Sequence, residues 1–438
     1  MSSAISNPSL TSHVAALEPG EHVLATHFLK DVPALALSDG TVVLAKDDGL
    51  TRLAAHPDSG ILVAAGGGDR LLTGGDDGRV VAIRADGTME PVGLSKGGAW
   101  IDALAVHPDG AVAWSAGRTV VARDAKGREK TFEAPSSARG LVFAPKGYRL
   151  GVAHYNGVSL WYPNLETPAE VIGWKGSHID VTWSPDGRFV VSTMQENSLH
   201  GWRLQPDRGH MRMSGYPGKV RSMSWSFDGH WLATSGAEAA IIWPFDSKEG
   251  PTGKAPRECG VRPARVSRVA FHPKAPVLAM GYEDGCILLV RFTDAAELLV
   301  RPAVSGSGVT ALAWDGRGGR LLFGCADGKA GLLTLDGGAT IGQKLTLTPS
   351  ATQTLTNGAN VAIDAAIVAV AGDVGAVTCG MADGSAAGQL LTIRGTHAVN
   401  TVTLTNAAVV PTFMLGENDV ISFVWSGSVW VEIARRDN

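Results

Sequence analysis

A unit of roughly 40 residues recurs from the N-terminal region to about Leu335, and a period of that length commits a chain to a stacked repeat architecture. The clearest copies are HIDVTWSPDGRFVVSTMQENSLHGW at 178–202 and VRSMSWSFDGHWLATSGAEAAIIW at 220–243. Each unit has the same grammar. A first strand alternates apolar and small residues, and a turn follows, often Pro-Asp-Gly. A second strand ends in a small-residue patch, an acidic-Gly turn comes next, and a third strand closes the unit. Period-2 alternation bounded by such turns is the signature of consecutive β-hairpins.

Eight units are read, the first beginning near His22. Their hairpin turns fall at Asp39-Gly40, Asp77-Gly78, Gly117, Asn156-Gly157, Asn197, Glu238, Asp284-Gly285 and Asp327-Gly328. Asp-Gly and Asn-Gly suit two-residue turns in which both central residues take positive φ. The 55 glycines follow from so many tight turns, since they show no collagen period. The segment 10–17 is the expected closing strand, completing a last unit that lacks its own fourth strand. Seven units is the alternative, with the first a partial linker.

These residues resemble the WD40 family, whose repeats form four-stranded antiparallel blades of a β-propeller. The family pattern has a His ahead of the first strand, a Ser or Thr on the second, an Asp in the hairpin turn and a Trp on the third. The fifth unit carries His178, Ser192 or Thr193, and Trp202, with Glu196-Asn197 in place of Asp. The sixth keeps Ser235 and Trp243 but has Pro217-Gly218 ahead of its first strand. The resemblance implies an all-β propeller, eight blades favoured over seven, with a polar tetrad that is structural and incomplete in every blade.

After Leu335 the texture changes. Asp336-Gly337-Gly338-Ala339 reads as a hinge, and the residues beyond it are rich in Thr, Ala, Val and Asn. Short β-runs are expected at 344–348, 360–370, 389–394, 401–404, 420–425 and 429–434. The organisation is therefore an N-terminal arm (1–20), a propeller (21–335), a hinge (336–342) and a C-terminal β-domain (343–438). The runs at 388–393 (GQLLTI), 400–404 (NTVTL), 415–419 (LGEND) and 423–433 (FVWSGSVWVEI) resemble C-terminal modules of bacteriophage tail fibres, spikes and head fibres. That resemblance implies a small β-sandwich or jelly-roll-like oligomerisation domain, a homotrimer, and a virion role. A module of this size, poor in large aliphatics, has a limited core of its own, which a shared symmetry axis would supplement.

Chemistry is scarce in the sequence. It contains no phosphate-binding glycine loop, HExxH motif or nucleophile elbow. The acidic turns at Asp47-Asp48-Gly49 and Asp76-Asp77-Gly78 lack the regularly spaced oxygen donors of a calcium loop. His56, His107 and His272 each precede Pro and read as solvated or turn-capping. The four cysteines are widely spaced and read as buried hydrophobes. A net charge of −4 provides no global field for nucleic acid, and the cluster Arg257, Arg262, Arg265 and Arg268 reads as a solvated loop. No apolar stretch suits a membrane span, and the N-terminal residues do not read as a secretory signal.

The expected protein is therefore non-enzymatic, without cofactor or metal, and binds other proteins. The interface candidates are Met211, Met213 and Tyr216 near a blade boundary, together with Trp425 and Trp430, because Met and aromatic residues are enriched at interfaces. Trp425 and Trp430 read as core anchors, with a ligand platform as the alternative. Two settings fit. One is a component of a phage particle (capsid decoration, tail or fibre), made in the host cytoplasm, in contact with other virion proteins and trimeric through its C-terminal domain. The other is a bacterial cytoplasmic WD40 scaffold.

Overall fold

The computed structural model describes residues 9–335, 351–363, 367–384, 389–405, 407–408 and 414–436. The expected hinge at 336–342 and strand at 344–348 lie outside these residues. The chain packs as two compact units, 1–343 and 344–438. Both are built from strands. Among the described residues the only helical elements are the single 3-10 turns Thr11–His13 and Lys96–Gly98, and no helix is long and apolar enough to cross a membrane.

The first unit is a ring of antiparallel up-and-down sheets. Its first sheet runs in order through Val23–Leu29, Val32–Leu37, Thr41–Lys46 and Gly49–Ala54. The eight sequence repeats are distributed over seven sheets. Repeats four and five are joined through the long strand Glu170–Trp183, in which residues 170–177 pair with repeat four and 178–183 with repeat five. Successive first strands neighbour one another around the axis, and the last of them returns to the first.

Closure uses the N-terminal segment. Val14–Leu17 pairs antiparallel with Ala330–Thr334, Val14 opposite Leu333 and Leu17 opposite Ala330, and so becomes the outermost strand of the last sheet. The strand is shorter than the expected 10–17, because Thr11–His13 turns away and the Leu10 N–H donates to Leu299 O (2.7 Å) on the neighbouring sheet. At the axis the seam is also stitched: Thr310 Oγ1 donates to Val23 O (2.6 Å).

The small-residue patch on the second strands has a packing cause. Gly281 and Gly324 lie where a Cβ would overlap Val309 and Val23, the β-branched residues that begin the next repeat's first strand. Glycine there lets adjacent sheets close to van der Waals distance.

The acidic hairpin turns differ from expectation. Asn156 and Gly157 both have positive φ, but in the Asp-Gly pairs only the glycine does. Aspartate recurs for another reason: its carboxylate accepts the N–H two residues ahead. Asp39 does so from Thr41 (3.0 Å), Asp77 from Arg79 (2.9 Å), Asp284 from Cys286 (3.0 Å) and Asp327 from Lys329 (3.3 Å).

The C-terminal unit has two sheets around a common core that includes Val370, Ile393, Phe423 and Trp430. Its topology differs from a jelly roll. Gln353–Leu355, Ile367–Gly372 and Leu390–Gly395 pair in parallel in one sheet, while Asn360–Val361, Val377–Met381 and Val402–Leu404 pair in parallel in the other. The chain alternates between the sheets, so every second strand runs in the same direction, as in a coiled β-solenoid. Val377–Met381 was not anticipated from its sequence. Among the described residues, antiparallel pairing is confined to the later strands: Val402–Leu404 pairs with Met414–Leu415, and Val420–Trp425 pairs with Leu390–Gly395 and with Trp430–Arg436.

Removal of residues 1–17 leaves Ala330–Thr334 as an open edge and withdraws the apolar cover given by Leu10 and Val14. The expected cost is about 3 kcal/mol, with increased self-association through the exposed edge. Chemical denaturation and size-exclusion chromatography check it. Unchanged stability would show that closure does not depend on this strand.

Candidate functional site

Within the ring, buried polar side chains form pins that tie strands to the loops ahead of them. In the second repeat His56 is buried, its Nδ1–H donating to the Asp77 carboxylate (3.0 Å) and its Nε2 facing Thr73 Oγ1 (2.9 Å). This is the His, Thr and Asp part of the family pattern, brought together here although the pattern is incomplete in the sequence of every repeat. His56 was hidden by its Pro57-Asp58 context, which copies the turns at His107 and His272. The signal was Thr73 and Asp77 standing at the second-strand and turn positions of the same repeat. His272 is also buried rather than solvated. Its Nε2–H donates to Gly318 O (2.9 Å) and its Nδ1 accepts the Lys274 N–H (3.1 Å), which fixes the tautomer. His107 lies half-buried with Nδ1 2.7 Å from the Asp109 carboxylate.

The fifth repeat uses His178 and Ser192. His178 Nε2–H donates to Trp174 O (2.9 Å), so Nδ1 accepts the Ser192 hydroxyl (2.7 Å). Burial pushes the His178 imidazole below its usual pKa and keeps it in this neutral form. The Trp202 N–H goes to Gly173 O (3.4 Å) rather than to Ser192. Thr193, the alternative to Ser192, leaves its hydroxyl without a partner among the described residues. Beside them His200 is fully buried, stacked on Trp174 at 4.0 Å and edge-on to Trp202 at 4.7 Å, with neither ring nitrogen hydrogen-bonded among the described residues. Burial, with His210 and His178 nearby, lowers its pKa to about 3.

The sixth repeat substitutes Tyr216 for the histidine. Trp243 Nε1–H donates to Tyr216 Oη (2.6 Å), Tyr216 to Thr234 Oγ1 (2.7 Å), and Thr234 to Ile241 O (3.0 Å). Thr234 therefore fills the place expected for Ser235. Ser235 Oγ instead accepts the N–H groups of Arg221 and Ser222, each at 3.1 Å. Tyr216, Met211 and Met213 are buried in one cluster with Trp243, which corrects their reading as interface residues: the loop folds inward because Tyr216 is needed as the pin. Trp425 and Trp430 are likewise buried. They face each other across the last hairpin with ring centroids 5.2 Å apart, as core anchors and not a ligand platform.

With these groups committed to structure, the open cavities stand out. The loops linking successive repeats and the second-to-third-strand turns share one end of the ring. At that end a cavity of about 520 Å³ is lined by Lys219, Arg221, Arg265, Arg268 and Glu283. Arg221 also lines a cavity of about 430 Å³ among the first strands, with Asp102, Arg139 and Asp180. Arg139 pairs with Asp102 at 3.0 Å. Asp180 opens to this axial channel but is surrounded by protein, and desolvation raises its carboxyl pKa to about 6. A partly apolar cavity of about 330 Å³, lined by Tyr216, Ile241, Trp243 and Val261 with Glu238 and Glu258 also on its wall, shares Pro217 with the basic one.

The arginine cluster expected to be solvated divides in two. Arg257 lies over the Trp231 ring at 4.5 Å, and Arg262 pairs with Asp284 at 3.1 Å and lies over Tyr282. Arg265 and Arg268 join Lys219 and Arg221 at the channel mouth. Among the described residues, no group of three or more His, Cys, Asp and Glu side chains is placed to hold a metal ion.

Residues 208–243 match the family described as WD domain, G-beta repeat, and residues 269–355 match the anaphase-promoting complex subunit 4 WD40 domain. The small ribosomal subunit protein RACK1 of Schizosaccharomyces pombe is 31% identical over 121 residues, covering 24% of this chain and 38% of that protein. Protein HIR1 of Chaetomium globosum is 22% identical over 200 residues, covering 38% of this chain and 18% of its own. The chain thus spans less than two fifths of the length of these relatives. Among solved structures, the computationally designed Ika8 protein aligns with a TM-score of 0.60 at 18% identity, over 73% of this chain and 98% of that one. The C-terminal WD40 domain of Sif2 aligns with a TM-score of 0.58 at 13% identity, over 74% and 97%. At these identities the likeness is one of fold: the repeats form a WD40-type β-propeller.

Tyr216→Phe removes one hydroxyl from the Trp243–Tyr216–Thr234 chain and leaves a buried indole N–H unpaired, with an expected loss of about 1–3 kcal/mol in urea denaturation. An unchanged midpoint would remove Tyr216 as a pin. His200 sets a pH dependence. Its folded pKa of about 3 lies below the reference 6.5, so the unfolded chain takes up the proton first. The contribution of the neutral ring is complete above about pH 6.5 and is lost as pH falls towards 3, by at most about 1.4 kcal/mol per pH unit. His200→Phe keeps the ring stack and reduces that slope between pH 6.5 and 4.5, leaving the share of His27, His154, His178 and His272, whose pKa values burial also lowers. An equally steep variant would exclude His200 as its source.

Proposed function

We propose that the propeller is a non-enzymatic protein-interaction scaffold and that it engages partners at the end of the ring bearing the repeat-linking loops. The observation that carries this reading is the pair of adjoining cavities there, one basic and one partly apolar, on a backbone held by buried pins. Exposed Trp100 (65%) and Tyr155 (54%) lie in a linking loop and beside a second-to-third-strand turn at the same end. Large apolar side chains interleaved with cations are the composition that protein interfaces favour. The histidines that a catalytic reading would need in the second, fifth and seventh repeats are bonded into the fold. In this reading the protein works in the bacterial cytoplasm. Hydrogen–deuterium exchange on a complex captured with the full chain tests it. Protection is expected at 214–221, 260–265 and 302–308, and protection confined to the opposite end would overturn it.

A second reading places the protein in a phage particle, as a homotrimer joined through residues 344–438. It rests on the sequence resemblance of that module and on two exposed valines, Val374 (84%) and Val399 (70%). These lie on adjacent turns tied by Gly372 N–H to Asn400 O (2.9 Å) and Gly375 N–H to Asn400 Oδ1 (3.1 Å). An apolar pair so presented suits burial against a second copy. The expected mass in solution is that of a trimer, falling to a monomer when residues 344–438 are removed. A monomeric full-length chain would overturn this reading.

A further inference from the structure

The cations at the channel mouth lack what another charged cavity of the ring possesses. At the opposite end a cavity of about 430 Å³ between the second and third repeats also gathers arginines. There Arg84 pairs with Asp69 at 3.0 Å and Glu90 at 3.7 Å, Arg123 is bonded to Val92 O and Arg70 to Gly110 O. That cavity is a clasp between blades whose charges are satisfied from within. At the channel mouth, Lys219, Arg221 and Arg265 make no side-chain hydrogen bond or ion pair among the described residues; Glu283 is the one carboxylate lining this cavity beside four cations, and Asp180 lies in the axial cavity that Arg221 also lines.

The four cations are also held together. Lys219 and Arg221 sit on the loop ahead of the sixth repeat, fixed by Ser235 Oγ and by Gly218 N–H to Gly236 O (3.1 Å). Arg265 immediately precedes the strand Val266–Phe271, which carries Arg268. The Arg268 guanidinium is anchored to Thr310 O (2.5 Å) and Ser267 O (3.0 Å). Burial lowers its pKa, Arg221 lowers it further, and the nearby Asp180 carboxylate offsets part of this. Like charges held in a half-enclosed cavity repel one another at lower dielectric than in bulk water, and a bound anion relieves that repulsion. The cavity, at about 520 Å³, is larger than one anionic group needs and continues past Pro217 into the partly apolar cavity beside Val261.

We infer that the channel mouth receives an oxyanion, phosphate or carboxylate, carried on a segment of a protein partner and held by Lys219, Arg221 and Arg265, with a neighbouring apolar side chain seated beside Pro217 and Val261. This rests on the scaffold reading and gives its partner a chemistry. Arginine forks match either oxyanion, and binding of this kind weakens with added salt.

The test uses the full chain and three peptides of one length that differ at a single position next to a leucine: phosphoserine, glutamate or serine. Anisotropy titrations at about 50 mM salt should show the phosphoserine or glutamate peptide binding roughly tenfold more tightly than the serine peptide. Tighter binding of phosphoserine identifies phosphate as the source, and equal binding of the two anionic peptides identifies carboxylate. R221E/R265E should weaken the anionic peptides by roughly tenfold or more, with the thermal midpoint unchanged. R221Q/R265Q, which adds no negative charge, should do the same to a smaller extent and covers the case in which charge reversal disturbs folding. Equal binding of all three peptides, or failure of both anionic peptides to bind, overturns the inference. So does oligouridylate binding more tightly than either and being lost in the same variants. A captured partner that remains bound to R221E/R265E, with protection still at the linking-loop end, defeats this inference alone. Protection at the opposite end defeats the scaffold reading instead.

Discussion

The pairing of Val14–Leu17 with Ala330–Thr334 is the contact on which the rest of the propeller depends. An up-and-down array of sheets has two open ends, each a row of unpaired backbone groups, and only closure removes them. Here the two ends lie more than 300 residues apart in sequence, so nothing local holds them together. The outer strand supplies backbone hydrogen bonds, Thr310 and Val23 supply the bond at the axis, and Gly324 leaves room for Val23. Once these are made, every first strand lies against the axis and the channel mouth acquires its shape.

The blade pins show how one physical requirement is met by different residues. In three repeats the loop leading in is fixed to the second strand across a buried polar contact. His56 does it with Thr73 and Asp77, His178 with Ser192, and Tyr216 with Thr234 and Trp243. A buried donor left unpaired costs more than a paired one gains, so any side chain that completes the chain of hydrogen bonds is tolerated. This is why the family pattern looks eroded in the sequence while the pins themselves are present. In the sixth repeat the pin also frees Ser235 to hold the loop bearing Arg221, which links blade stability to the shape of the mouth.

Much of the fold was legible. Period-2 alternation and the acidic turns located the repeats, and the change of texture after Leu335 separated the C-terminal module. What escaped was what depends on partners distant in sequence. Tyr216, Met211 and Met213 looked like interface residues because Met and Tyr in a Gly-Pro-rich loop carry no sign of burial. The four arginines at 257–268 looked alike, yet Trp231 and Asp284 claim two of them and leave two at the mouth. The parallel pairing in the C-terminal module was equally hidden, since alternation along a strand does not say which neighbour it meets.

By itself the sequence determined the all-β class, the repeat and its turns, because these follow from side-chain alternation and from which residues favour tight turns. Only the tertiary structure decided which polar groups were consumed and which were left over. The first strands of the sixth and seventh repeats pack side by side, and at one end of them Lys219, Arg221, Arg265 and Arg268 meet with Glu283 among them. Burial and pairing are properties of neighbours in space, and those neighbours are set by how adjacent repeats pack.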